Sequence, residues 1–409
     1  MEEIRDTTIR TTTTKKKTKN PNTHTAGKDA LIMNLPHAII YEMLSRLPIE
    51  SLIRCMSVCK LWSTFRYDSY FNDLHLTKSI ILRPPTLVLG SDEKMSSLLM
   101  LSPNEEGGDW EARQIPIDFE LLGSCFGSCN GILCIAAREG LDPIFLCNPF
   151  TREEMMLPRS LLGFPPSYSS LETRVGFGFD RLSNKYKVVR VYYYDTGDED
   201  EYKEKVGYCE IITVGESSWR KLEFPTFPKD HYVRHPELLD GTLYWFISNG
   251  DFELENSDFI IVLDIGNEKF WNINCPPPRE SIEFPIRESL IHMDGSLAIV
   301  DYDNTHSWSI DIWLLEGNKT KGFSFNLTTY DMSEVGCWGI EFSVMAKYDH
   351  DTFLIMVSKG FDDVEYSLRL FSPIEKKQYL CIQLGFSKSD ILLQNWMVPT
   401  LKSLKDLGS

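Results

Sequence analysis

The sequence predicts a mainly β protein: a small N-terminal α module followed by a β-propeller closed by a C-terminal strand. Three observations lead there. Residues 31–76 carry apolar side chains at helical spacing. From about residue 79, runs of β-branched and aromatic residues alternate with tight turns. Those turns recur at a nearly constant interval, the mark of a repeat architecture. The 409 residues are 42% hydrophobic and 25% charged, which excludes a fibrous or wholly disordered chain. That length suits one small module plus one large domain.

Residues 1–28 are rich in Thr, Lys and Asn and nearly devoid of apolar side chains, so they read as a disordered tail. Lys15, Lys16, Lys17 and Lys19 fit a nuclear import signal; a solvated lysine patch is the plainer reading.

The helical module begins at Leu35-Pro36. Ile39, Ile40, Met43, Leu44 and Leu47 form one broad apolar face at helical period. Pro36 suits a helix start, where its missing N–H has no partner to lose. Pro48 ends the first helix and opens a second, in which Leu52, Met56, Cys59 and Trp62 lie three or four apart. Two or three short helices within about 45 residues bury too little surface to be stable alone, so the module is expected to dock against its own chain or a partner.

In the β-rich remainder, tight turns fall at Asn130-Gly131, Asn184-Lys185, Asp240-Gly241, Asp294-Gly295 and His350-Asp351, their first residues spaced 54, 56, 54 and 56. Asn-Gly and Asp-Gly favour two-residue hairpins because type I′ turns need positive φ. A second turn series follows within each unit, at Pro149, Val214-Gly215, Ile265-Gly266, Glu316-Gly317 and Pro373. Each unit thus has four strands, A to D, as a propeller blade does. Residues 85–117 supply strands B to D of a further unit without an A strand, and Ile391–Val398 is apolar without a blade of its own. Lending that last strand to the first blade would close the ring and remove both sheet edges. The resulting count is six, with five or seven as the alternatives.

Leu35-Pro36, Ile40, Leu44-Ser45-Arg46-Leu47-Pro48, Ser51-Leu52, Arg54, Val58-Cys59-Lys60 and Trp62 together resemble the F-box. GSCNGILCIA (127–136), CNPFTREEMMLP (147–158), GFGFDRLSNKYKVVRV (176–191), SSWRKLEFP (217–225) and LDGTLYWFI (239–247) resemble the F-box-associated, kelch-like domain of plants. On this reading 1–28 is a tail, 29–78 the F-box, 79–401 the associated propeller and 402–409 a second tail. The resemblance implies a substrate-recognition subunit of a Skp–cullin–F-box ubiquitin ligase. Leu35, Pro36, Ile40, Leu44, Leu47, Pro48, Leu52, Val58, Cys59 and Trp62 would then face the Skp adaptor, and cullin would be reached through it. The chain would itself be no enzyme, would need no cofactor, and would work in the cytoplasm, the nucleus or both.

The residues offer little catalytic chemistry. The spacings among Cys125, Cys129, Cys134 and Cys147 do not match zinc motifs, and these residues read as small core hydrophobes. His231 and His235 lie in a Pro-bounded loop, which makes a poor metal clamp, so no metal is expected. No nucleophile elbow, His-Glu-x-x-His or P-loop occurs. The net charge is −17, and residues 1–28 carry seven basic and three acidic side chains, leaving −21 elsewhere, so nucleic acid is not the expected partner. No apolar run spans a bilayer, so no membrane partner is expected either. Two rivals remain: a propeller enzyme acting on glycans or esters, and an F-box scaffold acting outside a ligase.

Protein-substrate contacts are expected on the B–C and D–A loops, which hold every long irregular segment (159–173, 192–206, 226–236, 248–258 and 277–288). Rigid scaffolds present recognition residues on such loops. Phe164, Tyr168, Tyr193, Asp200, Tyr232, Arg234, Phe252 and Arg279 supply the aromatic and charged side chains there.

Overall fold

The computed structural model describes residues 35–404 apart from 83–85, 92–94, 104–109, 122, 138–141, 161–171, 195–203, 229–230, 250–257, 278–285, 304–307, 319–321, 336–339, 348–350, 360–364 and 385–390. Four α-helices come first: α1 (His37–Leu44), α2 (Ile49–Met56), α3 (Lys60–Thr64) and α4 (Ser69–Leu82), with a 3₁₀ turn at Phe65–Tyr67. Pro36 and Pro48 are the N-caps of α1 and α2, so each Leu-Pro pair starts a helix. The sequence foretells two or three helices. α4 adds one because Phe71, Asn72, His75 and Ser79 repeat every three or four residues and are buried.

Six sheets follow. Blade 1 is ordered β26 (Ile391–Met397), β1 (Thr86–Ser91), β2 (Met95–Pro103), β3 (Trp110–Leu121). Blade 2 runs β4 (Gly123–Cys129) to β7 (Glu153–Met156), with β5 (Ile132–Ala137) and β6 (Ile144–Asn148) between. Blade 3 has β8 (Glu172–Asp180), β9 (Lys185–Tyr194), β10 (Glu204–Thr213) and β11 (Arg220–Leu222), and the short β12 (Phe227–Pro228) pairs with β10. In blade 4 the inner strand is split into β13 (His231–Val233) and β14 (Glu237–Leu239), followed by β15 (Thr242–Asn249), β16 (Phe259–Asp264) and β17 (Lys269–Asn274). Blade 5 comprises β18 (Ile286–Met293), β19 (Ser296–Asp303), β20 (Ser309–Asn318) and β21 (Gly322–Asp331). Blade 6 comprises β22 (Ile340–Lys347), β23 (Phe353–Lys359), β24 (Glu365–Ser372) and β25 (Lys377–Leu384).

The blade count is six, and the C-terminal strand closes the ring as the turn spacing suggests. β26 pairs antiparallel with β1, with Thr86 opposite Met397 and Leu87 opposite Trp396. Each neighbouring pair of blades shares its own apolar core. Val88, Leu133 and Met397 join blades 1 and 2, and Leu87, Leu101, Leu354 and Leu368 join blades 6 and 1 across the closure. The turns are as their residues dictate: Asn130, Asp240 and Asp294 have φ near +50°, and each is followed by a glycine at +74° to +77°. His350 of the last predicted turn lies outside the described residues.

The helical module sits on the rim that carries these tight turns. In blades 2 to 5 the inner strand ends in an A–B turn; β26 instead ends at Met397 beside Thr86, a few residues after the end of α4. Residues 398–404 then run back across blade 2 to the helices. Leu401 completes the helical core of Ile40, Leu44, Ile49, Leu52, Met56, Phe65 and Phe71, and Phe150 packs against it. For residues 402–404 this corrects the assignment to a tail: Ser403 is buried, and Leu404 is 1% exposed in the core between blades 2 and 3. A short polar stretch gives no hint of such packing. Residues 1–28 and 405–409 lie outside the described residues.

Candidate functional site

Two surfaces carry candidate residues. The first is the helical module. Its α1 splits the broad apolar face in two: Ile40 and Leu44 point into the core, while Ile39 and Met43 are 46% and 52% exposed. Ile53 on α2 and Val58 after it are also exposed, Val58 at 66%. Four large apolar side chains therefore face outward within 20 residues, where a monomer that needed no partner would gain by hiding them.

Of the ten residues expected to face an adaptor, Pro36 and Val58 are exposed, and Leu35, Leu47, Pro48, Cys59 and Trp62 are half-buried. Ile40, Leu44 and Leu52 are buried, which corrects their placement at an interface: they hold the module together. Cys59 is the N-cap of α3, and its Sγ accepts the Trp62 N–H at 3.5 Å. Ile39, Met43 and Ile53 were missed as surface residues. The helical period shows that an apolar face is wide but not which edge of it stays outside. Tyr41 donates to Asp68 Oδ2 at 2.5 Å, tying α1 to the start of α4; burial and that carboxylate push the phenol up to about 12.

The second surface is the opposite rim, with the B–C and D–A loops. Phe164, Tyr168, Asp200, Phe252 and Arg279 lie outside the described residues. Tyr232 on β13 and Arg234 just after it are exposed at the loop end of blade 4, where Tyr232 lies opposite Ser248. Tyr193 is not a loop residue. It is 1% exposed, packed with Val191 and Val233 between blades 3 and 4, and its hydroxyl donates to the Val233 carbonyl at 3.3 Å. The middle strands of a blade are covered on both sides, so Tyr192, on the other face of β9, is buried as well.

Ionisable groups in the interior serve blade seams. Arg190 is bonded to Glu210 at 2.5 Å and Asp142 at 3.0 Å, with Trp219 stacked 4.7 Å from its guanidinium. Arg287 holds Asp301 at 2.5 Å and Asp258 at 3.0 Å between blades 4 and 5. Asp301 and Asp311 stand directly opposite each other, the sort of carboxylate pair a glycan-processing enzyme needs. Both are fully buried on the second and third strands of blade 5, away from the inner strands; Arg287 and Trp313 bond Asp301, and Thr329 bonds Asp311. Burial pushes the Cys209 and Cys275 thiols well above their ordinary value, which suits packing rather than reactivity. His231 is buried against Phe259 while His235 is exposed, and among the described residues no three His, Cys, Asp or Glu side chains converge on a metal-sized site. No helix among the described residues is long and apolar enough to cross a membrane.

A closed six-bladed propeller bearing a four-helix docking module defines the class: an F-box protein whose second domain is a propeller. An F-box domain model matches residues 32–65, and a model of the F-box associated beta propeller domain matches residues 89–358. The chain belongs to that family and is a plant F-box protein. Two F-box proteins of Arabidopsis thaliana are each 26% identical to it, one over 92% of this chain and 89% of its own length, the other over 76% and 72%. A third from the same plant is also 26% identical, covering 71% of this chain and 77% of its own.

Proposed function

We propose that this protein is the substrate-recognition subunit of a Skp–cullin–F-box ubiquitin ligase. Its helical module would bind the Skp adaptor, and through it cullin, and the propeller's loop rim would bind a protein substrate. One observation carries the reading: an F-box whose outer side exposes Ile39, Met43, Ile53 and Val58 is seated on the tight-turn rim of the propeller, opposite the rim of the long loops. Ubiquitin transfer would be performed by other subunits, so the chain needs no nucleophile of its own. Such an assembly works in the cytoplasm or nucleus.

The test is capture of a Skp adaptor by the full chain and by Met43→Glu and Val58→Glu. Both side chains are exposed, so the variants fold normally. A carboxylate buried in an apolar contact without a partner is costly, and binding should fall at least tenfold, about 1.4 kcal/mol. Capture at wild-type strength by both variants would refute the assignment of this face. Proteins that accumulate in plants when residues 35–82 are deleted and the propeller is kept are the expected substrates.

A further inference from the structure

The two stretches that most resemble the family signature, GSCNGILCIA and CNPFTREEMMLP, converge on one structure that their repeat position does not explain. Asn148, at the end of β6, is fully buried. Its side-chain N–H groups donate to the carbonyls of Thr400 at 3.0 Å and Lys402 at 2.9 Å, and its oxygen accepts from the N–H of Phe150 and Thr151. Every hydrogen-bonding position of that amide is used. Gly131, in the A–B turn of the same blade, has φ +77°, and a Cβ there would overlap Thr400 Cγ2 and the Val398 carbonyl. Glu153 accepts the Leu404 N–H at 2.7 Å and reaches Arg66 of the helical module at 3.9 Å. Lys402 pairs with Asp73 of α4 at 3.0 Å. Leu401 lies in the helical core and Leu404 in the core between blades 2 and 3.

We infer that residues 398–404 are a strap, seated by Asn148 and Gly131, that fixes the F-box at one orientation on the propeller. Two domains joined only by a short link move relative to one another unless their interface holds them. Here Leu401 enters one core and Leu404 another, and Asn148 pins the carbonyls on either side of Leu401. The distance and angle from the adaptor-binding face to the loop rim are thereby set by residues 398–404. Asn148 is a positioning residue, and the inference holds whatever the loop rim binds.

The test uses the full chain and three variants. Leu401→Ser puts a hydroxyl in the helical core. Asn148→Asp replaces the donating amide by an oxygen facing two carbonyl oxygens. Leu401→Met conserves volume and is the control. Amide hydrogen exchange reads local opening segment by segment, and small-angle scattering reads the spread of the two domains. Leu401→Ser and Asn148→Asp are expected to raise exchange across residues 40–56 at least tenfold and to lengthen the particle. Exchange in β15, β16, β19 and β20 should stay as in wild type, and Leu401→Met should behave as wild type throughout. Unchanged exchange and dimensions in both strap variants would overturn the inference. So would loss of protection spread equally into blades 4 and 5, because the segment would then serve ring closure alone. Failure of the unmutated chain to capture a Skp adaptor would count against the ligase reading and leave this result standing.

Discussion

Arg190 is the side chain on which the seam between blades 2 and 3 depends. Glu210 accepts from its guanidinium and from Tyr192 and Ser160, and Asp142 reaches it from the loop between β5 and β6. Removing one partner of such a pair leaves a buried charge uncompensated, which costs about 3–5 kcal/mol, whereas replacing both by apolar groups costs much less. Arg190→Met is therefore expected to lower the urea midpoint sharply, and Arg190→Met with Glu210→Leu to recover most of it. A double variant no better than the single would contradict the pairing. Glu268 offers a pH-dependent counterpart between blades 3 and 4. Its hydrogen bond to Arg220, and then that to Lys187, hold its carboxyl below the ordinary range. Its contribution is complete above the unfolded value of about 4.3 and is lost as pH falls through the lower folded value. The stability difference between wild type and Glu268→Gln should accordingly be larger at pH 6 than at pH 3. An equal difference at both would rule the ion pair out as its source.

The helices and strands differ in how openly their sequence declares them. Leu52 of α2 is fully buried, so Leu52→Ala should cost about 2–5 kcal/mol in the helical module and weaken adaptor capture only through lost folding. Amide exchange across residues 40–56 would separate that from the specific loss expected at Met43. The closing strand is a second element with a testable role. A chain ending before Ile391 leaves β1 with a bare edge and should aggregate; a soluble monomer would show that β26 is dispensable. The turns were legible because Asn-Gly and Asp-Gly have few alternatives at positive φ. The missing A strand was legible because a unit with three strands and a chain end with one are complementary. The inward turn of Ile40 against the outward turn of Ile39 was not, since both belong to one wide stripe. Tyr193 misled because hydrophobic alternation fails in strands covered on both faces. The packing of Ser403 and Leu404 left no signal at all, for two residues establish no period.

At the scale of the whole molecule, the two rims differ in what they carry. The tight-turn rim is occupied by the F-box around blades 1 and 2, and the loop rim is free to vary without disturbing a sheet. Tyr232→Ala with Arg234→Ala on that rim is expected to slow substrate turnover in plant extracts while adaptor capture stays at wild-type strength. Equivalent changes at exposed tight-turn residues such as Leu182 should leave turnover unaltered. The reverse outcome would place recognition on the F-box side. Wild-type turnover after alanine replacement of all the long loops would remove the propeller from recognition altogether.

Blade 1 has a consequence for how the protein is made. Its first three strands to be synthesised wait for a fourth that lies about 300 residues later, and at roughly 5–20 residues per second that is a delay of some tens of seconds on the ribosome. During that time β1 has an open edge and the helical core lacks Leu401. A chain released early by a premature stop would carry the complete F-box sequence yet neither a sealed ring nor a filled helical core. Such a product should be drawn to chaperones and proteases, because the ring and the helical core both depend on residues 391–404.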